Sequence, residues 1–170
     1  MRRIISGVVS LILVLSVLVG CSANQMPTEK PKDFTFILKY GVGAKNVLNI
    51  KDGTFAKDMI SSGTKSTDLK LSDDELVTVY NDLHKINIMN YPEVFKPDRF
   101  AITQRSVSPN LTYELTIGYN GKQKTVFWND ESLSEESEAK LLRDMIDRVR
   151  SIIESKDEYK KLPEPQGGYM

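Results

Sequence analysis

Apolar and polar residues alternate along residues 34–40, and this period of two is typical of a half-buried β-strand. A second β signal is the Asp52-Gly53 pair, which lies between two short apolar stretches. Asp-Gly favours a two-residue hairpin turn, because both central positions of that turn take positive φ. Such a turn would place Ile50 opposite Phe55. These residues therefore predict one strand followed by a hairpin.

A second hairpin is predicted around Asn120-Gly121, the other dipeptide in the chain that favours a two-residue turn. The strand before the turn has apolar residues at every second position. A two-residue turn sets Val126 opposite Leu115 and Trp128 opposite Tyr113. Since this register puts both apolar sets on one face, the pattern and the turn agree.

Two amphipathic helices are also predicted. Ser72 and Glu75 have the spacing of a capping box, which indicates a helix start, and this helix ends near Asn90. The second helix begins at Ser134, and its acidic first turn suits the positive end of the helix dipole. Each helix has one apolar stripe. The stripes are Leu76, Val79, Tyr80, Leu83 and Ile86 in the first helix, and Leu142, Met145, Ile146, Val149, Ile152 and Ile153 in the second.

The order strand, hairpin, helix, hairpin, helix predicts a single α+β domain over residues 34–155. In this fold an antiparallel sheet of about five strands carries both helices on one face. Residues 21–33 are polar and contain two prolines, which is typical of a flexible stalk. Residues 156–170, with prolines and glycines and no apolar period, are expected to be a disordered tail.

The first 20 residues have the layout of a secretory signal, with Arg2 and Arg3 before an apolar stretch over residues 4–19. The stretch is short for a bilayer span, which takes roughly 20 apolar residues. The residues that follow are Leu18-Val19-Gly20-Cys21, and they resemble the lipobox of bacterial lipoproteins. The resemblance implies cleavage between Gly20 and Cys21 and attachment of diacylglycerol to the Cys21 thiol.

With this lipobox, the chain as a whole resembles the small lipoproteins of Gram-positive bacteria, a loosely defined group that brings no activity with it. The resemblance implies a location at the outer face of the cell membrane, with the membrane itself as a partner through the lipid on Cys21. Acyl chains such as palmitate anchor stably in pairs, whereas one chain of myristoyl length binds only marginally.

Composition excludes several classes of function. The chain has 23 basic and 23 acidic residues, and loss of Arg2 and Arg3 leaves 21 basic residues, so no cationic excess is present to bind nucleic acid. Cys21 is the only cysteine and His84 the only histidine. Once Cys21 is acylated, neither a thiolate site nor a zinc site with several imidazoles can be assembled. We therefore expect no cofactor, no metal and no catalytic residues.

The best candidate for a binding site is the long connection over residues 91–109. It contains three prolines, which reduce the entropy that a loop loses when it orders, and connections of this length are often binding loops. Arg99, Phe100 and Arg105 are its candidate contact residues. The alternative is that the aromatic residues of this connection cover the edge of the sheet.

Three functions remain open at this point. The first is a non-enzymatic binding or accessory module that engages an envelope protein or cell-wall material. The second is a small envelope hydrolase that uses carboxylates alone, with Glu114 on the outer sheet face as a candidate and a second carboxylate about 5–10 Å away. The third is an inhibitor or immunity-like protein, which predicts a concave sheet face with exposed aromatic residues.

Overall fold

The computed structural model describes residues 25–97, 108–131 and 137–169, and they form an α+β fold around one mixed sheet of seven strands. The order across the sheet is β4-β3-β2-β1-β6-β7-β5. All neighbours are antiparallel except β5 and β7, which are parallel. The strands are β1 (Thr35–Tyr40), β2 (Asn46–Asn49), β3 (Thr54–Asp58), β4 (Thr64–Asp68), β5 (Val94–Phe95), β6 (Leu111–Tyr119) and β7 (Lys122–Asp130).

Helices α1 (Asp73–Lys85) and α2 (Ser137–Ser155) pack on one face of this sheet, and a short helix α3 (Asp157–Lys160) follows. Two 3₁₀ turns, Val42–Ala44 and Ile88–Asn90, complete the described elements. The capping box at the start of α1 is present with both of its hydrogen bonds. Ser134, the predicted start of the second helix, lies outside the described residues. The described part of that helix buries the predicted stripe, with Ile152 only partly covered.

The fold class is confirmed, but the five-strand antiparallel sheet is wrong in two places. The sequence of β4 is TKSTD, and a strand without apolar residues gives no period-two signal. It forms because its backbone pairs with β3 at the edge of the sheet, where polar side chains are favoured. The other missed strand, β5, has only two residues and pairs in parallel with the opposite edge strand, β7.

The hairpin at Asn120-Gly121 has the predicted register, with Leu115 opposite Val126 and Tyr113 opposite Trp128. Both turn residues have positive φ, as a two-residue turn of this type requires. Trp128 is completely buried, and its ring lies 5.3 Å from the ring of Tyr113.

The other hairpin differs from its prediction. Phe55 lies opposite Leu48 and not Ile50, so the connection spans four residues. The side chain of Asn49 accepts hydrogen bonds from the backbone N–H groups of Lys51 and Asp52, at 3.1 and 3.2 Å. These bonds favour a longer turn in which, of the Asp-Gly pair, only Gly53 takes positive φ. A shift of two residues leaves Phe55 on the same face of the sheet, so its predicted place in the core is still correct.

Part of the expected stalk packs against the domain. Met26 is buried in the core, and the hydroxyl of Tyr80 donates a 2.6 Å hydrogen bond to the carbonyl of Pro27. Asp33 accepts a hydrogen bond from the N–H of Gly121. The segment from Met26 to Asp33 is therefore held at the end of the sheet where the Asn120-Gly121 turn lies.

The expected disordered tail is also different in the structure. After α3 the chain runs past the end of β3, and Gln166 forms a parallel β-bridge with Ile60. The N–H and hydroxyl of Ser61 both donate hydrogen bonds to the Gln166 carbonyl, at 3.3 and 2.8 Å. We call residues 162–169 the C-terminal strap. Its contacts are few and join residues more than 100 positions apart in the chain, which is why no apolar period signals them.

Candidate functional site

The predicted lipidation and cleavage residues and the contact residues of the candidate loop lie outside the described part of the chain. This holds for Gly20 and Cys21, and also for Arg99, Phe100 and Arg105 in the candidate loop. The flanks of the loop are described, however. Since β5 runs parallel to β7, and β6 begins opposite Asp130 at the end of β7, both flanks lie at one end of the sheet. That end is opposite to the one where Met26 is held.

The face of the sheet opposite α1 and α2 is not covered by any described element, and we call it the open face. Its side chains are mixed in character and half-buried or exposed. Phe127, with 38% of its surface exposed, lies beside the exposed Val94 of the edge strand. The outward residues at the centre and toward this edge are Thr35, Ile37, Lys39, Glu114, Thr116, Thr125, Phe127 and Val94.

Glu114 lies on the open face, as the alternation predicts. Its carboxylate makes a 2.9 Å ion pair with Lys39, and its cross-strand neighbours on this face are Lys39 and Phe127. A cation and an aromatic ring, and not a second carboxylate, are thus what the sheet places beside it. Hydrolysis by a carboxylate pair needs a different neighbour.

His84 lies in the last turn of α1 and is half-buried. Among residues 25–97, 108–131 and 137–169, no group of three or more histidine, cysteine, aspartate and glutamate residues is arranged to hold a metal ion. Within the same ranges, no helix is long and apolar enough to cross a membrane.

A shallow groove of about 640 Å³ lies along the edge formed by β5 and β7. Its lining residues are Met89, Glu93, Val94, Gln123, Lys124 and Thr125. The exposed apolar side chains of Val94 and Phe127 lie next to this groove, whose other lining residues are mostly polar. Two of the lining residues, Glu93 and Val94, belong to the candidate loop over residues 91–109.

A second, smaller cleft of about 230 Å³ lies between the end of β3, the C-terminal half of α2 and the C-terminal strap. Lys57 is its most unusual residue, because only 4% of its side chain is exposed. Its position two residues after Phe55 puts it on the covered face of β3. The ammonium lies 4.6 Å from the centre of the Tyr159 ring and 3.6 Å from the carboxylate of Glu164 in the strap.

Arg150 of α2 faces the same cleft. Its guanidinium lies 5.5 Å from the centre of the Tyr40 ring and makes ion pairs with Asp147 at 3.1 Å and Glu154 at 3.6 Å. Its buried Nε has no hydrogen-bond partner among the described residues. Burial raises the pKa of Tyr40 far above its usual value, and the nearby Tyr159 adds to this, so the Tyr40 hydroxyl stays protonated in the cleft.

The far wall of the cleft is built around Asp58, which is almost fully buried. Its carboxylate accepts hydrogen bonds from the Ile60 N–H, at 3.0 Å, and from the hydroxyl of Tyr169 in the strap. Lys45 in turn donates to the Tyr169 oxygen at 3.1 Å. Ile60 has a φ of +60°, which is strained for a β-branched residue and marks the point where the strap pairs with the sheet.

Comparison with known proteins adds no family to this picture: no protein-family model matches the chain, and no curated protein sequence matches it significantly.

Proposed function

We propose that this protein is a lipoprotein tethered to the extracytoplasmic face of the cell membrane through diacylglycerol on Cys21. We further propose that it serves there as a non-enzymatic binding or accessory module. The observation that carries the tether is Leu18-Val19-Gly20-Cys21 after an apolar stretch of 16 residues, because the only cysteine of the chain stands at the one position that a lipobox requires.

Support for a binding role comes from the surfaces that the fold leaves free. The open face has no covering element among the described residues, and at one edge it presents Val94 and Phe127 beside the groove along β5 and β7. The flanks of the candidate loop lie at the end of the sheet opposite to Met26. A lipid tether at the Met26 end would leave the described flanks of this loop on the side away from the membrane, toward a protein or cell-wall partner.

The geometry gives less support to the other two functions. Glu114 is paired with Lys39, so the hydrolase would need a carboxylate that the sheet does not place beside it. An inhibitor with an aromatic-rich face would need several exposed rings. Among the described residues, Phe127 is the one exposed large aromatic side chain on the open face.

Metabolic labelling with a fatty acid tests the tether. The wild-type chain should carry the label and fractionate with membranes, whereas Cys21→Ala should accumulate as an unlabelled precursor. Equal labelling of both chains would show that the lipid assignment is wrong. A neighbouring substitution, Ser22→Ala, is the matched control and should leave the label unchanged.

In vivo crosslinking followed by capture tests the binding role. A photoreactive residue in place of Phe127 should crosslink to a partner, and one in place of Val77 on the exposed side of α1 should not. Crosslinks of equal yield from both positions would contradict a binding role for the open face.

A further inference from the structure

The cleft between β3, α2 and the C-terminal strap contains a cation that the rest of the fold does not pair. Arg150 has two carboxylates within ion-pair distance, and the Asp58 carboxylate accepts two hydrogen bonds. Among the described residues, Glu164 supplies the one carboxylate within 4.0 Å of the Lys57 ammonium, and their distance of 3.6 Å is longer than a hydrogen bond. A buried ammonium strongly favours a close anionic partner.

Glu164 is a loosely held partner. Its side chain is 90% exposed, and residues 163–168 of the strap are all exposed. The strap is fixed mainly by the bonds between Gln166 and Ser61 and by the hydroxyl of Tyr169 on Asp58. Segments held by a few exposed hydrogen bonds open with little free energy, so the strap is the part of this region that can leave.

The strap contacts the cleft in the manner of a bound peptide. Its main chain pairs with Ile60 and Ser61, and two of its side chains contact charged groups of the cleft. Glu164 meets Lys57, and Tyr169, five residues later, meets Asp58 and Lys45. Main-chain pairing combined with side-chain pockets is a recurring mode of peptide recognition.

The geometry points to a peptide-binding site at this cleft, in which the C-terminal strap occupies the place of an extended acidic peptide from a partner protein. The ligand presents a carboxylate to Lys57, pairs its main chain with Ile60 and Ser61, and places an aromatic hydroxyl about five residues further on. The strap competes with this ligand at the high effective concentration of a tethered segment. The partner peptide binds by displacing it.

A peptide with the sequence of residues 162–169, labelled at its N-terminus, tests the site by fluorescence anisotropy on the full chain. Glu164→Gln in the protein weakens the competing strap, so this variant should bind the peptide about threefold more tightly than the wild type, the size expected for loss of an ion pair whose carboxylate is exposed to solvent. Glu158→Gln, on the exposed surface of α3, is the control and should change nothing.

The same peptide with glutamine in place of Glu164 should bind about threefold more weakly, because it offers no anion to Lys57. On the protein side, Lys57→Met in the Glu164→Gln chain removes the same contact and should weaken binding to a similar extent, whereas Lys51→Met, at an exposed turn position, should leave it unchanged. Equal binding of the two peptides would overturn the proposal, and so would an absence of binding to a folded Glu164→Gln chain. The peptide pair decides the question even where Lys57→Met fails to fold.

Discussion

Two guanidinium nitrogens of Arg143 in α2 donate hydrogen bonds of 2.8 to 3.0 Å to the buried carboxylate of Asp130 at the end of β7. The guanidinium also lies 5.1 Å from the centre of the Trp128 ring. One ion pair thus joins the end of the central hairpin to the first half of α2. The Asp130 side chain is almost completely covered, so the pair is screened little by water.

Asp130→Asn should lower the free energy of unfolding by about 3 kcal/mol. This is the lower end of the range for breaking a buried pair, because a fifth of the Arg143 side chain remains exposed to solvent. Urea denaturation followed by circular dichroism measures the change. Asp144→Asn removes an exposed carboxylate paired with Lys140 and should leave the midpoint almost unmoved. Similar shifts for both variants would contradict a structural role for the buried pair.

Trp128→Ala should lower the free energy of unfolding by about 3–5 kcal/mol, as expected when a large aromatic side chain is removed from a packed core. Trp128 is completely buried and packs against Tyr113 and Phe95. The control is Phe127→Ala, one residue earlier on the exposed side of the same strand, which should cost much less. A larger loss for Phe127 than for Trp128 would reverse the assignment of the two faces.

The fold predicted from the sequence is correct where local pattern and burial coincide. Tyr113 and Trp128 follow a strict alternation across an Asn-Gly turn, and nothing distant is needed to set their register. The capping box at Ser72 is equally local. In contrast, β4 exists because β3 offers it a backbone partner, and Met26 is buried in a core formed by residues far from it in the chain, next to a Pro27 carbonyl that Tyr80 binds. Contacts of this kind join distant parts of the chain and leave no periodic pattern of apolar residues in the sequence.

One residue of the cleft, Lys57, can be recognised as unusual from the sequence. Alternation from Phe55 places Lys57 on the covered face, and a lysine at such a position signals an unusual environment. What the sequence cannot supply is the path of the strap, because Glu164 and Gln166 belong to an apolar-poor segment typical of disorder. The partner of Lys57 therefore became known only from the structure.

The stability of Tyr113→Phe should respond less to alkaline pH than the stability of the wild type. Burial, with smaller contributions from Asp130 and Asp147, raises the pKa of Tyr113 from 10.0 to about 12. The unfolded chain therefore loses this proton at lower pH than the folded chain, so stability is lost as pH rises from about 10 to about 12. Tyr113→Phe should lose less stability over this window than the wild type. Urea midpoints at neutral and alkaline pH measure the difference, and parallel curves would contradict it.

Replacing Arg99, Phe100 and Arg105 together by alanine tests the candidate loop. If these side chains carry recognition, capture of the partner should be abolished, because arginines make bidentate contacts and aromatic residues supply apolar area at interfaces. Stability should change by less than about 1 kcal/mol, as for other surface substitutions. Undiminished capture by the folded triple variant would assign recognition to the open face or the cleft. A large loss of stability would support the alternative that the loop covers the sheet edge.

Because Met26 is buried in the domain, the linker between the lipid and the domain can extend no further than Met26. Met26 lies five positions after the proposed lipid-bearing Cys21, and at full extension these five steps reach only about 17 Å. A domain held this closely can tilt and rotate but cannot explore the depth of the envelope. Its search for a partner then becomes lateral diffusion in a plane. With the proposed tether, the partners within its reach would be proteins embedded in the same membrane and protein or cell-wall material lying directly above it.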